Sequence, residues 1–135
     1  MKNNAFENAL FIKAEATPSP FLLYDPLPRF RREISIKREI SHAVLRVQSP
    51  GFASYFINGK SVTEDKFISP VSNYSKILWY NSYDVKDLLK EGQNCFAVIA
   101  GNGFLNEPFK TPWSYDESPW RDAPQFMLSL ELTVR

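Results

Sequence analysis

The sequence is short of the residues that carry most metal and nucleophile chemistry. Among 135 residues there is one cysteine, Cys95, and one histidine, His42. A lone cysteine closes no intrachain disulfide, and one histidine with one cysteine cannot supply the ligands of a tetrahedral His/Cys zinc site. A Ser-His-Asp triad would have to run through His42 alone. Excess charge of one sign is missing as well. Sixteen Lys and Arg stand against fifteen Asp and Glu, a formal net charge of +1, so no overall field recommends nucleic acid or an anionic membrane as partner. No apolar run approaches the roughly 18–20 residues of a membrane span. The start, with Lys2, Asn3, Asn4 and Glu7, contains no apolar stretch of signal-peptide length, which points to the cytoplasm.

Glycine is also scarce, at five residues, whereas there are ten prolines, eleven Phe, six Tyr and three Trp. Many aromatics and prolines with few long helical patterns suit an antiparallel sheet protein with structured loops. A chain of 15.6 kDa is about one domain on a prior of roughly 100–200 residues per domain. About two-thirds of the unfolded surface is buried at that size, enough for one real core.

Period-two alternation marks the strands. Phe30, Arg32, Ile34 and Ile36 share one face, against Arg31, Glu33, Ser35 and Lys37. Ala43, Leu45 and Val47 alternate with His42, Arg46 and Gln48. Phe52–Ile57 ends in Asn58-Gly59, a strong signal for a tight hairpin because both residues tolerate φ > 0, and Lys60–Val62 is the short return arm. Ile77–Tyr83 reads as an aromatic-rich strand. Asp84 before Val85–Lys90, with Gly92 beyond, describes a capped helix of one or two turns. Asn94–Ala100 is nearly continuous apolar sequence and reads as a strand buried on both faces. Phe126–Val134 closes the domain, with Phe126, Leu128, Leu130 and Leu132 on one face. Residues 1–26, with Pro18, Pro20 and Pro26, form an extended lead-in in which a short strand around Leu10–Ala14 fits. Residues 27–135 make the domain: an all-β, antiparallel β-sandwich of jelly-roll or galactose-binding-like type, with one short helix and a long loop at 101–125.

The order of several motifs adds to this reading. Leu27-Pro28-Arg29-Phe30-Arg31-Arg32-Glu33 precedes Gly51-Phe52 and Tyr55-Phe56-Ile57-Asn58-Gly59-Lys60. Trp79-Tyr80-Asn81-Ser82-Tyr83-Asp84-Val85, Leu88-Leu89-Lys90-Glu91-Gly92-Gln93-Asn94, Gly101-Asn102-Gly103-Phe104 and Pro119-Trp120-Arg121-Asp122-Ala123-Pro124 follow. In this order and spacing they resemble the N-terminal β-sandwich domain of bacterial α-L-rhamnosidases, glycoside hydrolase family 78. The pattern departs at Phe104, where relatives commonly carry Trp. The resemblance implies a multidomain parent that hydrolyses terminal α-L-rhamnosyl groups with inversion, its catalytic carboxylates in an (α/α)6 barrel that 135 residues cannot hold. The chain stops at Arg135, just after its final strand, as an excised domain would. The implied partners are that barrel and a rhamnosylated glycan or glycoside.

The 101–122 segment concentrates the candidate site residues: Asn102, Phe104, Asn106, Glu107, Trp113, Asp116 and Trp120. Sugars offer apolar C–H faces that stack on flat rings and hydroxyls that need amide or carboxylate partners. The same oxygen-bearing side chains suit calcium, the one cofactor candidate. The competing expectation is that Trp113 and Trp120 anchor the loop to the sandwich or dock onto the barrel. Asp116, Glu117 and Asp122 lie in one loop, and nothing in their spacing forces the carboxyl separation of an inverting glycosidase. No catalytic residue is assigned. A non-catalytic accessory domain is therefore expected, with a self-sufficient, calcium-assisted module for L-rhamnose-containing glycans, or an interaction domain without sugar affinity, as the alternatives.

Overall fold

The computed structural model describes residues 6–13 and 26–135. Among these residues the alternating segments form eight strands: β1 (Ile12–Lys13), β2 (Arg29–Ile36), β3 (Ile40–Gln48), β4 (Phe52–Ile57), β5 (Lys60–Ser61), β6 (Asn81–Asp84), β7 (Gly92–Gly101) and β8 (Gln125–Val134). They pair antiparallel in two four-stranded sheets, ordered β1-β8-β3-β6 and β2-β7-β4-β5. Successive long strands switch sheets, as in jelly rolls. The expected β-sandwich is therefore present.

Its core is the set of inward positions that the alternation marks. Ala43, Leu45 and Val47 of β3 and Phe126 of β8 face Ala53, Tyr55 and Ile57 of β4 and Phe96 and Val98 of β7. Leu128, Leu130 and Leu132 pack against them, half-buried. Arg32 has the inward parity of β2 but is exposed, at a groove of about 810 Å³. Phe30, Ile34, Val98, Phe126 and Leu128 are among the residues lining that groove.

Two expectations are corrected, and the short helix is present in a tighter form. β7 is buried on one face only: Asn94, Phe96, Val98 and Ala100 point into the core, whereas Cys95, Ala97 and Ile99 are half-buried. A two-layer sandwich has no third layer to cover that outer face. The aromatic-rich strand begins at Asn81 rather than Ile77. Asn81 is the partner of Val47, and β3 ends one residue later at Gln48, so the chain before Asn81 has no strand to pair with. The helix is a single 3₁₀ turn, Lys86–Leu88. Asp84 Oδ1 accepts a hydrogen bond from the Lys86 N–H at 3.0 Å, and Leu89 is already extended.

Within the expected lead-in, β1 adds an edge to the first sheet, with Ile12 opposite Phe126 and Lys13 opposite Gln125. Pro18 and Pro20 lie outside the described residues, whereas Pro26 is exposed just ahead of β2.

Candidate functional site

The two ends of the β4–β7 pair are built differently. At one end, Asn58 and Gly59 both have positive φ, 52° and 81°, and form the expected hairpin turn. Asn58 also donates through Nδ2 to the Leu88 carbonyl at 2.9 Å and to Asn94 Oδ1 at 2.8 Å, and its Oδ1 accepts from the Cys95 N–H at 2.9 Å. Asn94, buried, accepts a second bond from the Lys90 N–H and donates to the carbonyls of Lys90 and Gly92 at 2.7 and 3.1 Å. Both of its donor hydrogens and both acceptor positions are used.

At the other end, β7 runs out into the 101–125 loop. Its base is a close approach of backbones. A Cβ on Gly51 would sit 2.5 Å from the Gly101 carbonyl oxygen, and Gly103, at φ 48°, lies against the backbone of Gly51 and Phe52. Only glycine fits such a seat. Asn106 is fully buried; its N–H donates to the Asn102 carbonyl at 3.2 Å and its Nδ2 to Asn102 Oδ1 at 3.0 Å. These two candidate residues are thus brought together, but Asn106 faces the interior and braces the loop. Leu105 and Ala123 are buried, and the Asp122 N–H donates to the Leu105 carbonyl at 3.4 Å, joining the two arms.

Above this base the rings meet. Tyr115 lies 5.4 Å from Phe104, 6.4 Å from Trp113 and 6.5 Å from Trp120 between ring centroids. Phe104 continues to Phe52 at 6.0 Å, and Phe52 to Phe67 at 5.2 Å. Trp120 continues to Tyr74 at 5.7 Å. Burial, reinforced by neighbouring Tyr115, pushes the Tyr74 phenol up to about 12. The two candidate tryptophans have opposite roles. Trp120 is half-buried among Tyr74 and Tyr115, and its Nε1 is buried with no hydrogen-bond partner. Trp113 is 70% exposed and stacks at 17° on Tyr115.

Glu107 and Asp116 are half-buried, Asp116 on the 3₁₀ turn Tyr115–Glu117. Asp122 sits at the loop base. Partial burial alone would raise its pKa, but hydrogen bonds from Lys13 and the Ala123 N–H, the Lys13 charge and Gln125 outweigh that and hold it below the ordinary carboxylate range. Lys13 Nζ lies 2.8 and 2.9 Å from its two oxygens. Among the described residues no three His, Cys, Asp or Glu side chains gather as metal ligands. His42 is exposed beside a register shift in β3. Tyr115, Phe52, Phe67 and Tyr74 are ring-cluster members outside the sequence-derived candidates; Tyr115 lies in the loop itself, whereas the other three come from β4 and the 62–80 connection, and no periodicity links them to the loop.

The family model of the α-L-rhamnosidase N-terminal domain matches residues 38–135. The chain belongs to this family. An α-L-rhamnosidase of Formosa agariphila is 31% identical over 93 residues, which are 69% of this chain and 10% of that protein. Among solved structures, the fold is shared with the α-L-rhamnosidase from Aspergillus terreus (TM-score 0.79, 22% identity, 99% of this chain and 15% of that one). The α-L-rhamnosidase from Dictyoglumus thermophilum is similar (TM-score 0.74, 23% identity, 99% of this chain and 16% of that one). The chain thus spans about a tenth to a sixth of these relatives. It matches the N-terminal domain of that family, and most of the length of such relatives lies outside the part it matches.

Proposed function

We propose that this N-terminal domain is a non-catalytic accessory unit that packs on the (α/α)6 barrel of its parent enzyme and offers a ring to terminal α-L-rhamnosyl groups of the substrate. The observation that carries the sugar contact is Trp113, an exposed ring held parallel to Tyr115 above an otherwise self-packed aromatic cluster. A flat, exposed indole is the surface on which the apolar face of a pyranose stacks. In the parent enzyme, Trp113→Ala should raise KM for a rhamnoside several-fold with kcat nearly unchanged, the signature of lost uniform binding. An unchanged KM would remove the sugar contact from the proposal.

The same ring, with Asn102, Glu107 and Asp116 in its loop, supports a second reading: a self-sufficient module for L-rhamnose-containing glycans that uses calcium. Tryptophan fluorescence of the isolated chain titrated with L-rhamnose, with and without calcium, separates the two. A saturable response in the high micromolar range, on the order of −5 kcal/mol, favours the module. No response in either condition favours the accessory unit. Incubation of the chain with p-nitrophenyl α-L-rhamnoside should release no nitrophenol. Release abolished by Asp116→Asn or Glu117→Gln would overturn the non-catalytic reading.

A further inference from the structure

The 62–80 connection carries an apolar surface that neither the core nor the ring cluster absorbs. Ile77, Leu78, Trp79 and Tyr80 are consecutive and all exposed, Trp79 at 56%. Their exposure alternates, with Ile77 and Trp79 at 54% and 56% against Leu78 and Tyr80 at 37% and 38%, so Ile77 and Trp79 are the more open pair, and β3 ends before it can pair with the stretch. Val71, in the same connection, is exposed too. The stretch is nonetheless held in place. The Ile77 N–H donates to the Asn73 carbonyl at 2.9 Å, and Ser72 Oγ donates to the Ile77 carbonyl at 2.6 Å. Asn81 Nδ2, just beyond, donates to the Ile68 carbonyl, and the Tyr80 ring meets Phe6 edge-on at 5.4 Å. The stretch leads directly into β6, which is the outer strand of its sheet.

Contiguous exposed apolar sequence on an ordered surface marks an interaction site, and an unpaired strand edge beside it adds backbone groups a partner can use. The geometry points to Ile77–Tyr80, with Val71, as the face that docks onto the remainder of the parent polypeptide. This assignment rests on the accessory-domain reading. Its occupant is an apolar surface of that same polypeptide. The argument for that occupant is length: the matched domain is only 10–16% of its relatives, so most of such a chain lies beside it. A covalently linked neighbour is present at high effective concentration, so a modest apolar patch suffices to hold it. Trp113, on the other loop, is left free for substrate.

Hydroxyl-radical footprinting of the parent enzyme and of the 135-residue chain tests this. A docked anchor loses its water, so Trp79 oxidation should fall by about fivefold or more in the parent relative to the chain alone, while Trp113 without substrate changes little. Equal oxidation of Trp79 in both would overturn the docking face. Protection of Trp113 instead would overturn it as well and move the interface to the loop. A parent reading frame with no further domain would defeat the accessory-domain reading itself, and the docking face with it. As an independent check, Ile77→Asp with Trp79→Ser should leave the melting of the 135-residue chain unchanged and lower that of the parent. A variant that melts lower in both would show the stretch to be part of this domain's own core.

Discussion

The two ends of the β4–β7 pair perform the same task, closing a sandwich, with different chemistry. At the Asn58 end closure is directional: Asn58 and Asn94 satisfy each other, the 3₁₀ turn and the start of β7. At the Gly103 end closure rests on the backbone seat of Gly51 and Gly103 and on the Asn102–Asn106 and Leu105–Asp122 bonds, and ring contacts fill the space above it. Phe52, Phe104, Tyr115 and Trp120 touch edge-on or tilted, while Trp120 Nε1 and Thr111 Oγ1 are buried without hydrogen-bond partners. Hydrogen bonds fix one geometry and penalise loss of a partner, whereas ring packing tolerates rearrangement and leaves surface to spare. The difference teaches where each property resides: directional bonding at the amide end, exposed ring surface at the other, which is the surface the proposed sugar contact would use.

The sharpest way to break that comparison is Asn94→Ala. It strips partners from Asn58, the Lys90 N–H and two carbonyls in a buried site, and should cost about 3 kcal/mol or more. A urea melt showing less than about 1 kcal/mol would mean that the network is not what closes this end. Next is Gly59→Val. A Cβ there meets nothing within 4 Å, so the whole cost comes from a β-branched residue at φ 81°, roughly 1–3 kcal/mol. An unchanged melting temperature would show that the turn relaxes freely.

At the ring end, effects should be smaller. Asp122→Asn removes the Lys13 ion pair, which is partly exposed, and should cost less than about 1 kcal/mol at pH 7. The folded pKa of Asp122 lies below its unfolded value, so this contribution is present above about pH 4 and fades as pH falls through the folded value. The melting curves of the chain and its Asp122→Asn variant should therefore converge as the pH falls below the ordinary carboxylate range. A gap that persists there would point to packing instead. Smallest of all, Trp113→Ala should shift stability by less than about 0.5 kcal/mol, since the ring is mostly exposed. A larger loss, read by the same urea melt, would make Trp113 a structural residue and erase the contrast.

The sequence makes local chemistry visible and long-range partnership invisible. The β3 and β8 alternation and the Asn58-Gly59 turn are legible because their causes lie within a few residues. That Asn58 is also a hub is not, since Leu88, Asn94 and Cys95 lie 30 or more residues away. The reach of β6 is not legible in its own residues, because periodicity in one strand says nothing of where its neighbour stops. In the loop, composition announced an aromatic, oxygen-rich surface but could not rank its members. Trp113 and Trp120 look alike in sequence; Tyr74, from a distant connection, makes one an anchor, and its absence near the other leaves a free ring. Asn106 reads as a ligand by type and is buried by its bond to Asn102.

The seat of the ring-bearing loop has a consequence for how the protein can be altered. Both arms meet where the Asp122 N–H reaches the Leu105 carbonyl, above the Gly51–Gly103 contact. The stretch from Glu107 to Arg121 therefore leaves and returns through one doorway, with buried Leu105 and Ala123 as its posts. Such a stretch behaves as a cassette. Its exposed members, Trp113 among them, can be exchanged without asking the sheets to shift, so long as the glycines at the threshold and the Trp120–Tyr74 contact stay.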